Sequence, residues 1–375
     1  MSARFLTVVL ERAFNMRDGF GREIDYMRIS VIDSCNLNCY YCNPCDNNEH
    51  CHALNILSVK EVLCIVRAAT RLGIKHFRLT GGEPLLHPQL DEMVLQIKKI
   101  PGVSSVSLTT NAVLLAQHAK WLKEAGIDSI NVSLDTIDAS EYERITKKPL
   151  LEEVKHGINA AIECGIRVKI NVVLTPQTDV VALTRYVAKK GTDIRFIEMM
   201  PVGEGHTNGV EPYKKVIGTL SKLYGEPCRI NTEKTKEINS GNDKRKIPDN
   251  GPAEYYIFPE LGIRVGLIQA IHGKFCDTCN RIRVTADGRL MPCLGSSVTM
   301  DLVPDSWDFA DDVEKDFAIV RALRAAIKAK PRCHNFNDNA VTYTKTTETK
   351  TVETKATELK AAEVNAARNM SRIGG

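Results

Sequence analysis

An α/β fold, with a parallel sheet curled into an incomplete (βα)6 barrel of TIM type, is the class predicted for this 375-residue chain. Three observations predict it. β-branched runs alternate with amphipathic helical runs from about residue 25 to 200, the pattern of successive βαβ units. There are six such units, too few to close an eight-fold barrel. Polar motifs fall at or just beyond the C-terminal end of each expected strand, the rim where parallel barrels assemble their sites.

The expected strands, in order, are "YMRISVI", "KHFRLT", "VSSVSLTT", "IDSINVSL", "IRVKINVVL" and "DIRFIEMM". The clearest helix is "SVKEVLCIVRAATRLG". Ser58 caps it, Glu61 completes a capping box, Val59, Val62, Leu63, Val66 and Ala69 share one face, and Gly73 ends it. At the rim, a cysteine array follows the first strand and "GGEP" the second. "TTN" and "SLD" end the third and fourth, Lys169 and Asn171 lie in the fifth, and "EMMP" closes the sixth. Residues 201–250 read as a connecting region. The later stretch "RIRVTADGRLMPC" has the alternation and Asp-Gly turn of a hairpin, which would fold Cys293 back towards Cys276 and Cys279. "KTTET-KTVET-KATEL-KAAEV", residues 345–364, repeats every five residues and so forms no continuous apolar stripe; it reads as a solvated spacer or an exposed helix with Lys–Glu pairing. The expected organisation is an N-terminal extension (1–24), the barrel (25–200), a C-terminal region (201–343), the spacer (344–368) and a tail (369–375).

The net charge of +4 is small for this length and predicts neither a nucleic-acid footprint nor a membrane patch. The N-terminal apolar run "FLTVVL" is too short for a signal peptide or a membrane span. A cytoplasmic location follows as the expectation, and there twelve cysteines are better read as metal ligands or reactive groups than as disulfides.

Cys35, Cys39 and Cys42 form a C-x3-C-x2-C array. Tetrahedral zinc sites and electron-transfer iron–sulfur clusters take four protein ligands. Three thiolates can hold three irons of a 4Fe–4S cube and leave the fourth open to a small chelator, such as the amino acid end of S-adenosylmethionine (SAM). Beside such a chelator the Gly-Gly of "GGEP" permits close backbone approach, and Glu83 can accept a hydrogen bond from its ammonium group. Cys45 is the foremost candidate to fill the fourth corner, which would exclude SAM. A zinc knuckle and a ferredoxin-type site are the alternatives. Cys51, Cys64, Cys164, Cys228 and Cys333 read as surface or core thiols.

With Tyr41 just before its last cysteine and "GGEP" downstream, this array resembles the radical SAM superfamily. Over nearly the whole chain outside the repeat, from "DGFGREIDYMRIS" to the final "IGG", the sequence is similar to the molybdenum cofactor biosynthesis protein A family, the GTP 3′,8-cyclases. "RLTGGEPLL", "SLDTID", "RFIEMMPVG" and "FCDTCNRIRVTADGRLMPCL" carry the likeness.

The resemblance implies a barrel with a C-terminal extension carrying a second 4Fe–4S cluster. It assigns Cys35, Cys39 and Cys42 to the first cluster and Cys276, Cys279 and Cys293 to the second. It places SAM against Tyr41, Gly82, Ser133 and Met200, and GTP against Arg28, Arg78, Thr109, Lys169, Arg281 and Arg283; Arg195 is a further candidate. Gly374 and Gly375 match a tail that enters the family's active site. The implied reaction removes hydrogen from ribose C3′ of GTP and joins that carbon to guanine C8, giving 3′,8-cyclo-7,8-dihydro-GTP. The implied partners are GTP, a reductant protein and a downstream cyclic pyranopterin monophosphate synthase, with neither nucleic acid nor membrane; a homodimer is compatible with the sequence. Departures from the family are Ala112 where glycine is usual, His87 where arginine is common, and His76 where lysine often stands. A radical SAM enzyme acting on a peptide is the rival within the class, and an iron–sulfur electron carrier or zinc-stabilised binding module the rival outside it.

Overall fold

The computed structural model describes residues 16–42, 56–201, 209–230, 251–296, 299–302, 312–334 and 336. Cys45, Cys51, the repeat and the Gly374–Gly375 tail lie outside the described residues. Six βα repeats open the fold. Strands β1 (Tyr26–Ser30), β2 (His76–Thr80), β3 (Ser105–Thr110), β4 (Ser129–Ser133), β5 (Val168–Val173) and β6 (Asp193–Ile197) pair in that order, all parallel. Between them run α1 (Val59–Arg71), α2 (Leu90–Lys98), α3 (Leu115–Glu124), α4 (Ala139–Thr146), α5 (Leu151–Glu163) and α6 (Val180–Lys189). All six strands fall inside the stretches expected for them.

Helix α1 carries its capping box: the Glu61 backbone N–H donates to Ser58 Oγ at 3.3 Å, and the Ser58 N–H to Glu61 Oε2 at 2.7 Å. Its buried surface is wider than the expected stripe. Cys64, Ile65 and Ala68 are enclosed along with Val62, Val66 and Ala69. The physical reason is a second cover. The C-terminal helix α8 (Asp312–Lys328) packs on α1, with Arg71 paired to Asp316 at 2.8 Å.

The C-terminal region holds α7 (Gly218–Tyr224), the strands β7 (Cys228–Arg229), β8 (Glu254–Ile257), β9 (Arg264–Ile268), β10 (Arg281–Val284), β11 (Arg289–Met291) and β12 (Met300–Asp301), and α8 (Asp312–Lys328). These strands extend the same sheet at both edges. β9 lies parallel on β6, and β10 parallel on β1. β8 and β7 continue antiparallel beyond β9, and β11 and β12 beyond β10. β9 and β10 do not pair, so the sheet stays open and the barrel incomplete. Residues 269–280 therefore cross from one edge to the other. They leave the C-terminal rim after Ile268 and arrive at the opposite end, where Arg281 pairs with Tyr26.

Parallel strands covered on both faces usually read as unbroken apolar runs. Here they alternate. Met27, Ile29, Phe77, Leu79, Val106, Leu108, Ile130, Val132, Ile170, Val172, Ile194 and Phe196 are fully buried in the apolar core shared with the helices. Their neighbours on the other face are polar: Arg28, Arg78, Ser107, Thr109, Asn131, Lys169, Asn171 and Arg195. The concave side of the sheet is thus a polar chamber.

Candidate active site

The first cysteine triad follows β1 at the rim. The "GGEP" turn after β2 presses directly on this segment: Gly82 N–H donates to Ile32 O and Glu83 N–H to Ser34 O, both at 2.8 Å. A Cβ on Gly81 would lie 2.5 Å from Ile32 O, and one on Gly82 2.2 Å from Ser34 O. The close approach these glycines permit is therefore to the cysteine segment itself. Asn38 and Tyr40 donate to Thr146 O and Ile145 O, seating the loop on the end of α4. Asn111 from "TTN" donates to Asn36 Oδ1 at 2.7 Å and lies 3.7 Å from Cys35 Sγ.

Ala112, next to it, has φ +65°, which explains why glycine is usual there. The left-handed conformation costs an L-residue about 1–2 kcal/mol. His87 is buried, with Nε2 on Leu57 O at 2.9 Å and Nδ1 accepting from Gln89 N–H at 3.1 Å, a packing role away from the chamber.

Burial, with the Asp135 carboxylate beside it, pushes the Cys42 thiol up to about 11; burial also raises Cys39, which feels Cys42, Asp135 and Cys35. Such thiols are poor free nucleophiles, but a metal would deprotonate them. No group of three His, Cys, Asp or Glu among the described residues is placed to chelate a single metal ion. A four-iron cube, several atoms across, asks instead for thiols ranged around it.

Tyr41 OH donates to Asp135 Oδ2 at 2.5 Å, and Asp135 Oδ1 accepts from Val173 N–H at 2.7 Å. Glu83 is buried and accepts from Thr110 Oγ1 (2.7 Å), Asn111 N–H (2.7 Å) and Leu85 N–H (3.0 Å). Burial nonetheless raises it to about 7. A carboxylate has about four lone-pair sites, so one remains for a ligand. Ser133 ends β4 exposed and Met200 lies half-buried beyond β6, which brings Tyr41, Gly82, Glu83, Ser133 and Met200 to one rim.

Below the rim lie the cations. Arg28 and Arg78 stand at the centres of β1 and β2, and strand alternation sets their direction. Arg283, Arg28 and Arg78 are register partners across β10, β1 and β2. Arg281 pairs with Tyr26 one step lower. Like charges directly opposite one another destabilise a sheet. Desolvation, then the neighbouring Arg283, Arg78 and Arg281, hold Arg28 well below its ordinary pKa; burial and Arg281 bring Arg283 to about 10. Tyr26 OH accepts from Arg78 Nε, and its own pKa is lowered by Arg78 and Arg28 against the opposing pull of burial. Arg78 also reaches Thr109 Oγ1 at 3.4 Å. Thr109, Asn131 and Lys169 are register partners on β3, β4 and β5, and Asn171 Oδ1 accepts from Arg195 Nε at 3.0 Å. Asn131 and Asn171 join this lining through alternation alone.

The second triad sits where the edge-crossing segment meets β10. Cys279 N–H closes the Cys276 turn at 3.2 Å, and the β10–β11 register, Arg283 with Met291, returns Cys293 towards that turn as the hairpin predicts. Burial would raise Cys279, but Arg281 and Lys330 bring it down to about 6. Glu198 of "EMMP" accepts from the backbone of Ile271 (2.7 Å) and His272 (3.1 Å) and from the His272 ring, fixing the segment at its start. Glu198 and Lys330 are site-building residues that sequence reasoning missed.

A six-strand parallel barrel with a trithiol rim over a cationic chamber defines a radical SAM protein. The description of the Radical SAM superfamily matches residues 29–182, and that of Molybdenum Cofactor Synthesis C residues 192–336. Relatives named GTP 3′,8-cyclase include those of Clostridium perfringens (35% identical over 86% of this chain and 95% of that one) and Peptoclostridium acidaminophilum (37%, 86% and 94%). The chain belongs to the GTP 3′,8-cyclase family. Among solved structures, Streptococcus suis SuiB bound to precursor peptide SuiA is similar in fold, with TM-score 0.53 at 14% identity over 86% of this chain and 69% of that one. Superfamily membership implies an iron–sulfur cluster and SAM. No helix among the described residues is long and apolar enough to cross a membrane.

Proposed function

We propose that this chain is a radical SAM GTP 3′,8-cyclase, converting GTP to 3′,8-cyclo-7,8-dihydro-GTP at the start of molybdenum cofactor biosynthesis. The observation that carries the reading is the arginine ladder, Arg283–Arg28–Arg78, facing a chamber beneath the first triad. Cations set side by side, Arg283 buried and Arg28 and Arg78 half-buried, call for a polyanion, and forked guanidinium donors suit a triphosphate. A neutral peptide offers those forked donors no comparable set of anionic oxygens.

In this reading Cys35, Cys39 and Cys42 hold one 4Fe–4S cluster, with Tyr41, Gly82, Glu83, Ser133 and Met200 around SAM. Cys276, Cys279 and Cys293 hold a second. When bound, cluster and SAM together supply a one-electron cleavage whose carbon radical can take hydrogen from the sugar. The chain's own residues orient and shield. Arg28, Arg78, Arg281 and Arg283 draw the triphosphate into the chamber, and Thr109 and Lys169 flank the nucleotide between that cage and the rim. Catalysis is then largely positioning and exclusion of water. Gly374 and Gly375 stay in the proposal as substrate-binding residues, with a reductant protein upstream and a cyclic pyranopterin monophosphate synthase downstream as partners.

The test is anaerobic reconstitution with iron and sulfide, followed by reductant, SAM and GTP. The expected result is GTP-dependent 5′-deoxyadenosine together with a cyclised guanosine product. Deoxyadenosine without any altered guanosine product would overturn the substrate and leave the class standing.

A further inference from the structure

We propose that Arg22 is the positioning residue of the second triad, a single buried guanidinium on which the separate chain segments around Cys276 are assembled. The proposal rests on the reading of Cys276, Cys279 and Cys293 as a cluster site. Arg22 is held in the N-terminal turn: Asp18 Oδ2 accepts from its Nε at 2.6 Å, and Asp18 Oδ1 accepts from the Phe20 and Arg22 N–H groups at 2.9 and 3.0 Å. The pair is enclosed, with side-chain exposures of 6% and 0%. The rest of the fork goes to distant backbone. Nη1 donates to Cys276 O at 2.7 Å and Arg332 O at 2.8 Å, and Nη2 to Pro331 O at 2.6 Å.

The Cys276 carbonyl also accepts the Cys279 N–H that closes the C-x2-C turn. One cation therefore fixes the acceptor that sets the spacing of two thiols. Lys330, next to Pro331, completes the assembly: its buried ammonium donates to Arg281 O at 2.8 Å and Pro292 O at 2.9 Å, the first just beyond Cys279 and the second just before Cys293. Each thiol of the triad thus has a carbonyl at or near its own residue held by a buried cation. Lysine in place of Arg22 keeps the charge but not the fork.

The experiment uses the full chain as Arg22→Gln, Arg22→Lys and Cys279→Ala, each reconstituted anaerobically. The readouts are iron and sulfide per chain, SAM cleavage without GTP, and the low-temperature EPR spectrum with and without GTP. For Arg22→Gln the expected result is about half the wild-type iron, matching the loss of one of two four-iron clusters. SAM cleavage persists, and the GTP-dependent spectral change disappears. Arg22→Lys restores part of the iron and of that change. Full iron with a wild-type response to GTP in Arg22→Gln overturns the proposal, and so does parallel loss of both clusters. If Arg22→Gln does not fold, Lys330→Gln carries the same expectations. Full iron in Cys279→Ala overturns the second-cluster reading itself, a separate result from any that the Arg22 variants give.

Discussion

Arg28, set against the triphosphate in the proposed reading, is held there against the preference of the fold. Its guanidinium is desolvated and faces Arg283 and Arg78 across the sheet. Replacing a buried charge with an apolar side chain of similar volume is often neutral or stabilising. Arg28→Met is therefore expected to raise the melting temperature of the ligand-free chain while weakening nucleotide binding by about 1.5–3 kcal/mol, the worth of charge-assisted hydrogen bonds. Triphosphate-induced thermal shifts measured on both chains check it, and a variant that is less stable yet binds equally well sinks it. His87 gives a pH test. Burial lowers its pKa despite the Leu57 carbonyl, so the folded state keeps it neutral after the unfolded chain has begun to protonate. The stability this gives is complete above pH about 6.5, the unfolded value, and is lost as pH falls through the lowered folded value. Unfolding free energies of His87→Gln should fall less steeply than wild type in that window, by at most about 1.4 kcal/mol per pH unit. An unchanged slope would refute the assignment. At this scale the cysteines were legible because spacing alone marks them. Arg22 and Glu198 were not, since their partners lie 254 and 73–74 residues away.

Helices α3 and α5 meet where Gly157 faces the left-handed Ala112. A Cβ on Gly157 would stand 2.4 Å from Ala112 O and 3.0 Å from Leu115 Cβ. Alanine improves helix propensity by about 1 kcal/mol, but overpacking against backbone costs about 1–3 kcal/mol. The clash wins, because a carbonyl next to the Thr110–Asn111 contacts cannot retreat freely. Gly157→Ala should lower stability, measured by denaturant midpoint; a midpoint at or above wild type would show that the interface yields. The same contrast explains what could be read of the elements. Strand alternation and the Ser58–Glu61 box are local signals and survive folding. The cover that α8 lays on α1 comes some 250 residues later in the chain, and no periodicity within α1 could announce it.

Among the described residues every strand belongs to one sheet, and this decides how the two halves depend on each other. β10 covers the free edge of β1, β9 covers that of β6, and residues 269–280 tie the two edges across the open side of the barrel. The match of one family description to 29–182 and another to 192–336 suggests a seam near residue 190, but no folding boundary need follow. Cutting there would leave two edge strands with unpaired backbone, which invite association with other chains. It would also strip α8 from the apolar face of α1 and remove Arg281 and Arg283 from the chamber. A fragment ending at residue 201 is therefore expected to associate or to expose apolar surface, whereas the full chain unfolds with its N- and C-terminal regions in one transition. Size-exclusion chromatography of the fragment, with fluorescence of an apolar-surface dye, checks the first half; coincident unfolding of probes placed on β3 and β11 checks the second. A monomeric fragment that unfolds cooperatively would mean the barrel holds itself together, and that the C-terminal strands supply only the second triad and two of the chamber's arginines.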